Sequence, residues 1–162
     1  IDIPGMEKNR VIGARRMLQS DVAAERAVVI GGGQVGSEVA EYLSLRGTAV
    51  TIIEITEDIA GDMDRINRVA LLAALRDSNV GVFTKASADE ITEKGVWITH
   101  LGAKQFIAAD LIVVAVGAEA NIPDGERVIA ENVTEKYFVG DRLCPGGILE
   151  AVHSGFDVAR RI

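Results

Sequence analysis

The run Gly31-Gly32-Gly33-Gln34-Val35-Gly36 has the form G-x-G-x-x-G. Such a turn cradles a pyrophosphate when it follows a buried strand and opens a helix. Each glycine has a task there. Gly31 permits the tight turn out of the strand, Gly33 lacks a Cβ and lets a diphosphate reach the backbone, and Gly36 lets the helix pack closely on the sheet. The N–H groups of Gln34 and Val35 open the helix, whose first turn offers free donors and the positive end of its dipole. The same chemistry needs a carboxylate ~20 residues further on, to accept hydrogen bonds from a ribose. Glu54 stands at that place. It would repel a 2′-phosphate, and Ile55-Thr56-Glu57-Asp58 supply no cation to neutralise one. The expected ligand is therefore NAD(H) rather than NADP(H). Two plainer readings compete. The glycines could serve chain geometry alone, with Glu54 a solvated strand end, or the turn could hold a nucleotide as a structural group.

The flanking pattern supplies the elements this turn requires. Ala27–Ile30 and Ala49–Ile53 are short continuous apolar runs, as in parallel strands buried on both faces. Between them Val35, Val39 and Leu43 share one helical face, and Gly47 can end that helix. Asp62 can cap a further helix to about Asp77, with Ile66, Val69, Ala70 and Ala73 as its apolar stripe. Val80–Phe83 gives a third strand. Ile91, Val96, Ile98 and Phe106 then alternate through short strands, which predicts an antiparallel meander. Leu111–Val116 returns to a buried strand ending at Gly117. Val11–Gln19 is expected as a short helix, Tyr137–Val139 as a strand, and a final helix begins near Gly147. Strand, helix, strand, helix, strand implies an α/β fold with a parallel sheet.

Composition narrows the function classes. A net charge of −7 disfavours nucleic acid as the partner. One cysteine, Cys144, excludes an internal disulfide and any Cys-x-x-Cys site, and its expected position is buried. This fits a reducing, cytoplasmic setting. Leu111–Ala118 is far shorter than the ~20 residues that span a bilayer, so no membrane role is expected. The chain has no initiator methionine and reads as a piece of a longer protein. His100 and His153 come from separate elements and suggest no metal site, His100 lies on a strand surface, and Trp97 packs on the meander. No activated nucleophile, and hence no catalytic residue, stands out.

Several separated motifs resemble the pyridine nucleotide–flavin (disulfide) oxidoreductases. Val28–Leu43, VVIGGGQVGSEVAEYL, is similar to that family's second dinucleotide motif. Ala109–Gly117, ADLIVVAVG, resembles its strand into an Ala-x-Gly turn, and Phe138–Asp141, FVGD, its flavin-binding Gly-Asp motif. Ile148–Ile162 is similar to the helix that follows. Asp62–Arg68 and the Ile-Leu-Glu-Ala helix start point to the NADH:flavin oxidoreductases of the 2,4-dienoyl-CoA reductase, enoate reductase and trimethylamine dehydrogenase group. Instead of the family's usual Arg and Pro-Asn after the turn, the chain reads Ala118-Glu119-Ala120-Asn121.

The resemblance implies a Rossmann-like three-layer NAD(H) domain over residues 26–116. Residues 1–25 would be a connection from a flavin domain, and 117–162 the returning segment of that FAD-binding domain. Gly31–Gly36, including Gly32, would hold the pyrophosphate and Glu54 the ribose. Glu38 and the Val116-Gly117 backbone would lie near the nicotinamide. Asp141 would bind a ribityl hydroxyl of FAD, and the helix start at Ile148 and Leu149 would face the flavin. The partners would be flavin and barrel domains of the same polypeptide, the barrel carrying FMN and an iron–sulfur cluster. Hydride would pass from NADH to FAD, and the isolated chain would be inactive. The alternative within this group is a module that holds ADP or AMP structurally.

Overall fold

The structure is a computed structural model that describes residues 2–120 and 135–162. It divides into two compact units, Ile1–Val116 and Gly117–Ile162.

The first unit has five parallel strands, β1 (Val11–Gly13), β2 (Arg26–Ile30), β3 (Ala49–Ile53), β4 (Gly81–Phe83) and β8 (Leu111–Val114), in the order β1-β8-β2-β3-β4. A second sheet is the antiparallel meander β5 (Ala86–Thr92), β6 (Gly95–His100) and β7 (Ala103–Ala108). The helices are α1 (Ala14–Leu18), α2 (Gln34–Leu45) and α3 (Arg65–Asp77). Successive residues of a strand face opposite ways, so β2 feeds two cores. Ala27 and Val29 pack with Val39 and Leu43 of α2 and Leu71 and Leu75 of α3. Val28 and Ile30 pack with Ile91, Val96 and Ile98 of the meander. Helices, parallel sheet and meander thus form three layers, the α/β architecture the sequence implied.

Some expectations change. Val11–Gly13 is an edge strand paired with β8, so only Ala14–Leu18 of the expected helix is helical. Asp64, not Asp62, caps α3, its carboxylate accepting from the N–H groups of Ile66 and Asn67. The stripe expected on α3 is turned outward: Ile66, Val69, Ala70 and Ala73 are exposed, while Leu71 and Leu75 are buried. Val35 is also exposed, although Val39 and Leu43 of its expected face are buried. Trp97 packs on the meander against Phe106, and the half-buried His100 meets Phe83 edge-on.

In the second unit Tyr137–Val139 is not a strand but extends into a 3-10 turn, Gly140–Arg142. The final helix, α4 (Ile148–Ala159), starts where expected, and the Glu150 carboxylate accepts from the Gly147 N–H at 3.0 Å. Cys144 is exposed, not buried, in a segment whose described residues are mostly exposed. Among the described residues no helix is long and apolar enough to cross a membrane.

Candidate dinucleotide site

The site lies at the carboxyl ends of three neighbouring strands. Ile30 is in register with Ile53 of β3 on one side and Val114 of β8 on the other. The residues that follow therefore leave the same sheet edge: the glycine turn after β2, Glu54 after β3, and Ala115-Val116 after β8. Consecutive β2 and β3 are neighbours, while the other neighbour of β2 comes from the end of the unit. Open α/β sheets bind ligands at such a switch point.

The turn's geometry explains its glycines. Gly31 has φ +98°, and a Cβ there would stand 2.5 Å from the Ala115 carbonyl oxygen. A Cβ on Gly36 would collide with the Gly31 carbonyl, so the first turn of α2 can approach the strand end only as glycine. Gly32 is packed from below by Ile52, Glu54 and Ile59. Gly33 differs from these. The three atoms nearest to a Cβ there all belong to the Asp62 carboxylate, whose oxygens lie at 3.3 and 3.6 Å. The one glycine expected to face a diphosphate thus faces a carboxylate. The shape and donors suit an anion.

Glu54 is buried, at 8% exposure, and is not a solvated strand end. Its Oε2 accepts from the Gly32 N–H at 2.6 Å, and its Oε1 from the Thr56 N–H at 2.7 Å. Burial pushes its carboxyl up, but the N–H groups of Thr56 and Gly32 outweigh burial and hold it below the usual carboxylate range. A carboxylate has about four lone-pair positions, so acceptor capacity is left for ribose hydroxyls. Glu54 and the glycine turn form one hydrogen-bonded unit.

A cavity of about 440 Å³ opens beside them, lined by Gly33, Glu54, Thr56, Glu57, Asp58, Gly61 and Asp62. Its lining is acidic, and two of the lining acids pair with cations that the sequence reading missed. Lys85 Nζ lies 2.6 Å from Glu57 Oε1, and Arg68 Nη2 lies 3.7 Å from Asp58 Oδ1. Both come from outside the Glu54 loop, so no local spacing announces them. Asp62, expected only as a helix cap, also belongs to this site. Its Oδ1 accepts from the Gln34 N–H at 2.7 Å, at the N-terminus of α2.

The remaining expected residues are distributed as follows. Glu38 is half-buried one turn into α2 and accepts from Gln34 Nε2 at 3.0 Å. Val35 and Val116 are exposed. In the second unit Gly117 has φ +104°, Asp141 Oδ1 accepts from the Gly146 N–H at 3.2 Å, and Ile148 and Leu149 are exposed at the start of α4.

A glycine turn bonded to a buried acid, at the switch point of a parallel sheet, defines a dinucleotide-binding class of protein. Residues 1–143 match the family model for pyridine nucleotide-disulphide oxidoreductases, and the chain belongs to that family. It is 36% identical over 139 residues to an NADH oxidase of Thermoanaerobacter brockii, covering 85% of this chain and 21% of that protein. It is similar to the structure of a 2-naphthoyl-CoA reductase in complex with 2-naphthoyl-CoA, with a TM-score of 0.87 and 27% identity, over 100% of this chain and 25% of that one. It is also similar to a water-forming NADH oxidase from Lactobacillus brevis bound to NADH, with a TM-score of 0.58 and 25% identity, over 72% of this chain and 28% of that one. The chain thus spans between a fifth and a third of the length of these relatives.

Proposed function

We propose that this chain is the NADH-binding, hydride-entry part of a flavin-dependent oxidoreductase of the NADH:flavin oxidoreductase type. The observation that carries it is the Glu54–Gly32 bond, which joins the ribose acceptor to the phosphate turn. When bound, NADH supplies a hydride that FAD in the rest of the polypeptide accepts. The chain's own residues bind and orient. The α2 N-terminus and the bare backbone at Gly33 hold the diphosphate, and Glu54 takes the ribose hydroxyls. Glu38 and the Val116-Gly117 backbone flank the nicotinamide half. Asp141 accepts from a flavin hydroxyl, and the Ile148-Leu149 helix start faces the flavin. FMN, an iron–sulfur cluster and a barrel domain belong to the same proposal for the parent protein. None of these roles needs an acid or base.

Calorimetric titration of the full chain with NADH, NADPH and ADP tests this. NADH is expected to bind about tenfold or more tighter than NADPH, because a 2′-phosphate would face the acidic rim. Absence of NADH binding, or tighter binding of NADPH, overturns the reading. The second reading, ADP held as a structural group, is favoured by the cavity, whose lining lies wholly on the Gly33–Glu54 side. Equal affinities for ADP and NADH would favour it over hydride entry.

A further inference from the structure

The loop between β3 and α3 presents Asp62 to the phosphate turn from between two fixed points. On one side Ile59 and Ala60 are buried, and the Ala60 N–H donates to the Gly32 carbonyl at 2.6 Å. On the other side Asp64 caps α3. Between them Gly61 has open space where a Cβ would be, and Asp62 is exposed. From there its carboxylate takes the Gln34 N–H at 2.7 Å and covers the bare face of Gly33. Gly33, the N-cap of α2, has no side chain to do this itself. An anion is thus already seated on the donor and the open backbone that a diphosphate would use.

Resting on the NADH reading above, we infer that Asp62 is a built-in competitor of the dinucleotide: its carboxylate mimics a phosphate on the α2 N-terminus and must swing out for the diphosphate to enter. Two anions cannot share one N–H, and they repel at that distance. The exit is short. Asp62 is solvent-exposed, so a rotamer change returns its carboxylate to water, and Gly61 can absorb any backbone adjustment. Ala60 and Asp64 keep the rest of the loop in place. The apparent affinity is then the intrinsic affinity reduced by the fraction of chains with Asp62 swung out.

A purely structural cap would behave in the opposite way, since removing it would leave the turn less ordered and the dinucleotide weaker. The test compares the full chain with Asp62→Ala and Asp62→Asn in calorimetric titrations of NADH, ADP and adenosine. Asp62→Ala is expected to tighten NADH and ADP by roughly two- to fivefold, the range of an exposed charge at a helix end. Adenosine, which has no phosphate, is expected to bind unchanged. Asp62→Asn keeps an acceptor but loses the charge, so it should give a smaller gain. It also carries the test if Asp62→Ala fails to fold. If the parent binds NADH and neither variant tightens it, the competitor is overturned and the NADH reading stands. Equal gains for adenosine and ADP would mean the cavity has merely widened, which also overturns it. No NADH binding by any of the three proteins overturns the site reading and the competitor together.

Discussion

In the first unit Met17, Val29, Leu43, Ile52 and Val113 are essentially sealed from solvent, and the apolar faces of sheet, helices and meander close on one another. In the second unit none of the described residues is buried, and α4 exposes Ile148, Val152 and Phe156 at 87%, 60% and 59%. Both contain an amphipathic helix, so pattern does not separate them. The difference, among the described residues, is whether the helix's apolar face is covered. The first unit holds both apolar cores. The second shows an apolar stripe of the kind that marks an interaction surface, which the proposed function assigns to a flavin domain.

The largest effect should therefore come from the first unit's core. Leu43→Ala is expected to cost about 2–5 kcal/mol in denaturant unfolding, as for a buried leucine facing a close-packed neighbour. Gly36→Ala comes next, at about 1–3 kcal/mol from overpacking against the Gly31 carbonyl, with NADH binding lost in the same protein. Glu54→Gln sharpens the view of the site. It should weaken NADH by about 1–3 kcal/mol in a titration, since it replaces a charged acceptor bonded to two N–H groups.

The pH dependence has a definite sign. The Glu54 carboxyl lies below its unfolded value, so its stabilisation is present above the ordinary carboxylate pKa and is lost as pH falls through the lower, folded one. Acid unfolding of the parent should show a slope in that window that Glu54→Gln reduces. The smallest effect is expected in the second unit, where Phe156→Ala should change the chain's stability by less than about 0.5 kcal/mol. A cost for Phe156→Ala equal to that of Leu43→Ala would break the contrast between the units.

What was legible follows the range of the interactions. The glycine turn and Glu54 could be read because strand, turn and helix are contiguous and each glycine's task is local. The buried runs of β2, β3 and β8 needed only their own composition. β1 could not be read, because three residues become a strand only by pairing with Ile112–Val114, far along the chain. In α3 the sequence Arg65–Asp77 is apolar on more than one face, so periodicity alone could not decide between Ile66-Val69 and Leu71-Leu75. The cap expected at Asp62 falls to Asp64, because Asp62 is drawn instead to the Gln34 N–H, a contact that only the three-dimensional structure brings about. Tyr137–Val139 has a strand's composition but, among the described residues, no neighbouring strand to pair with.

Trp97 is the chain's single tryptophan, and its indole ring lies 5.1 Å from Phe106 on the outer side of the meander. The molecule therefore carries its own optical probe in a layer separate from the glycine turn. Its emission reports melting of β5–β7 directly. A saturable loss of that emission on adding NADH, without melting and after correction for the light that NADH itself absorbs, would report occupancy, so one cuvette follows both folding and binding.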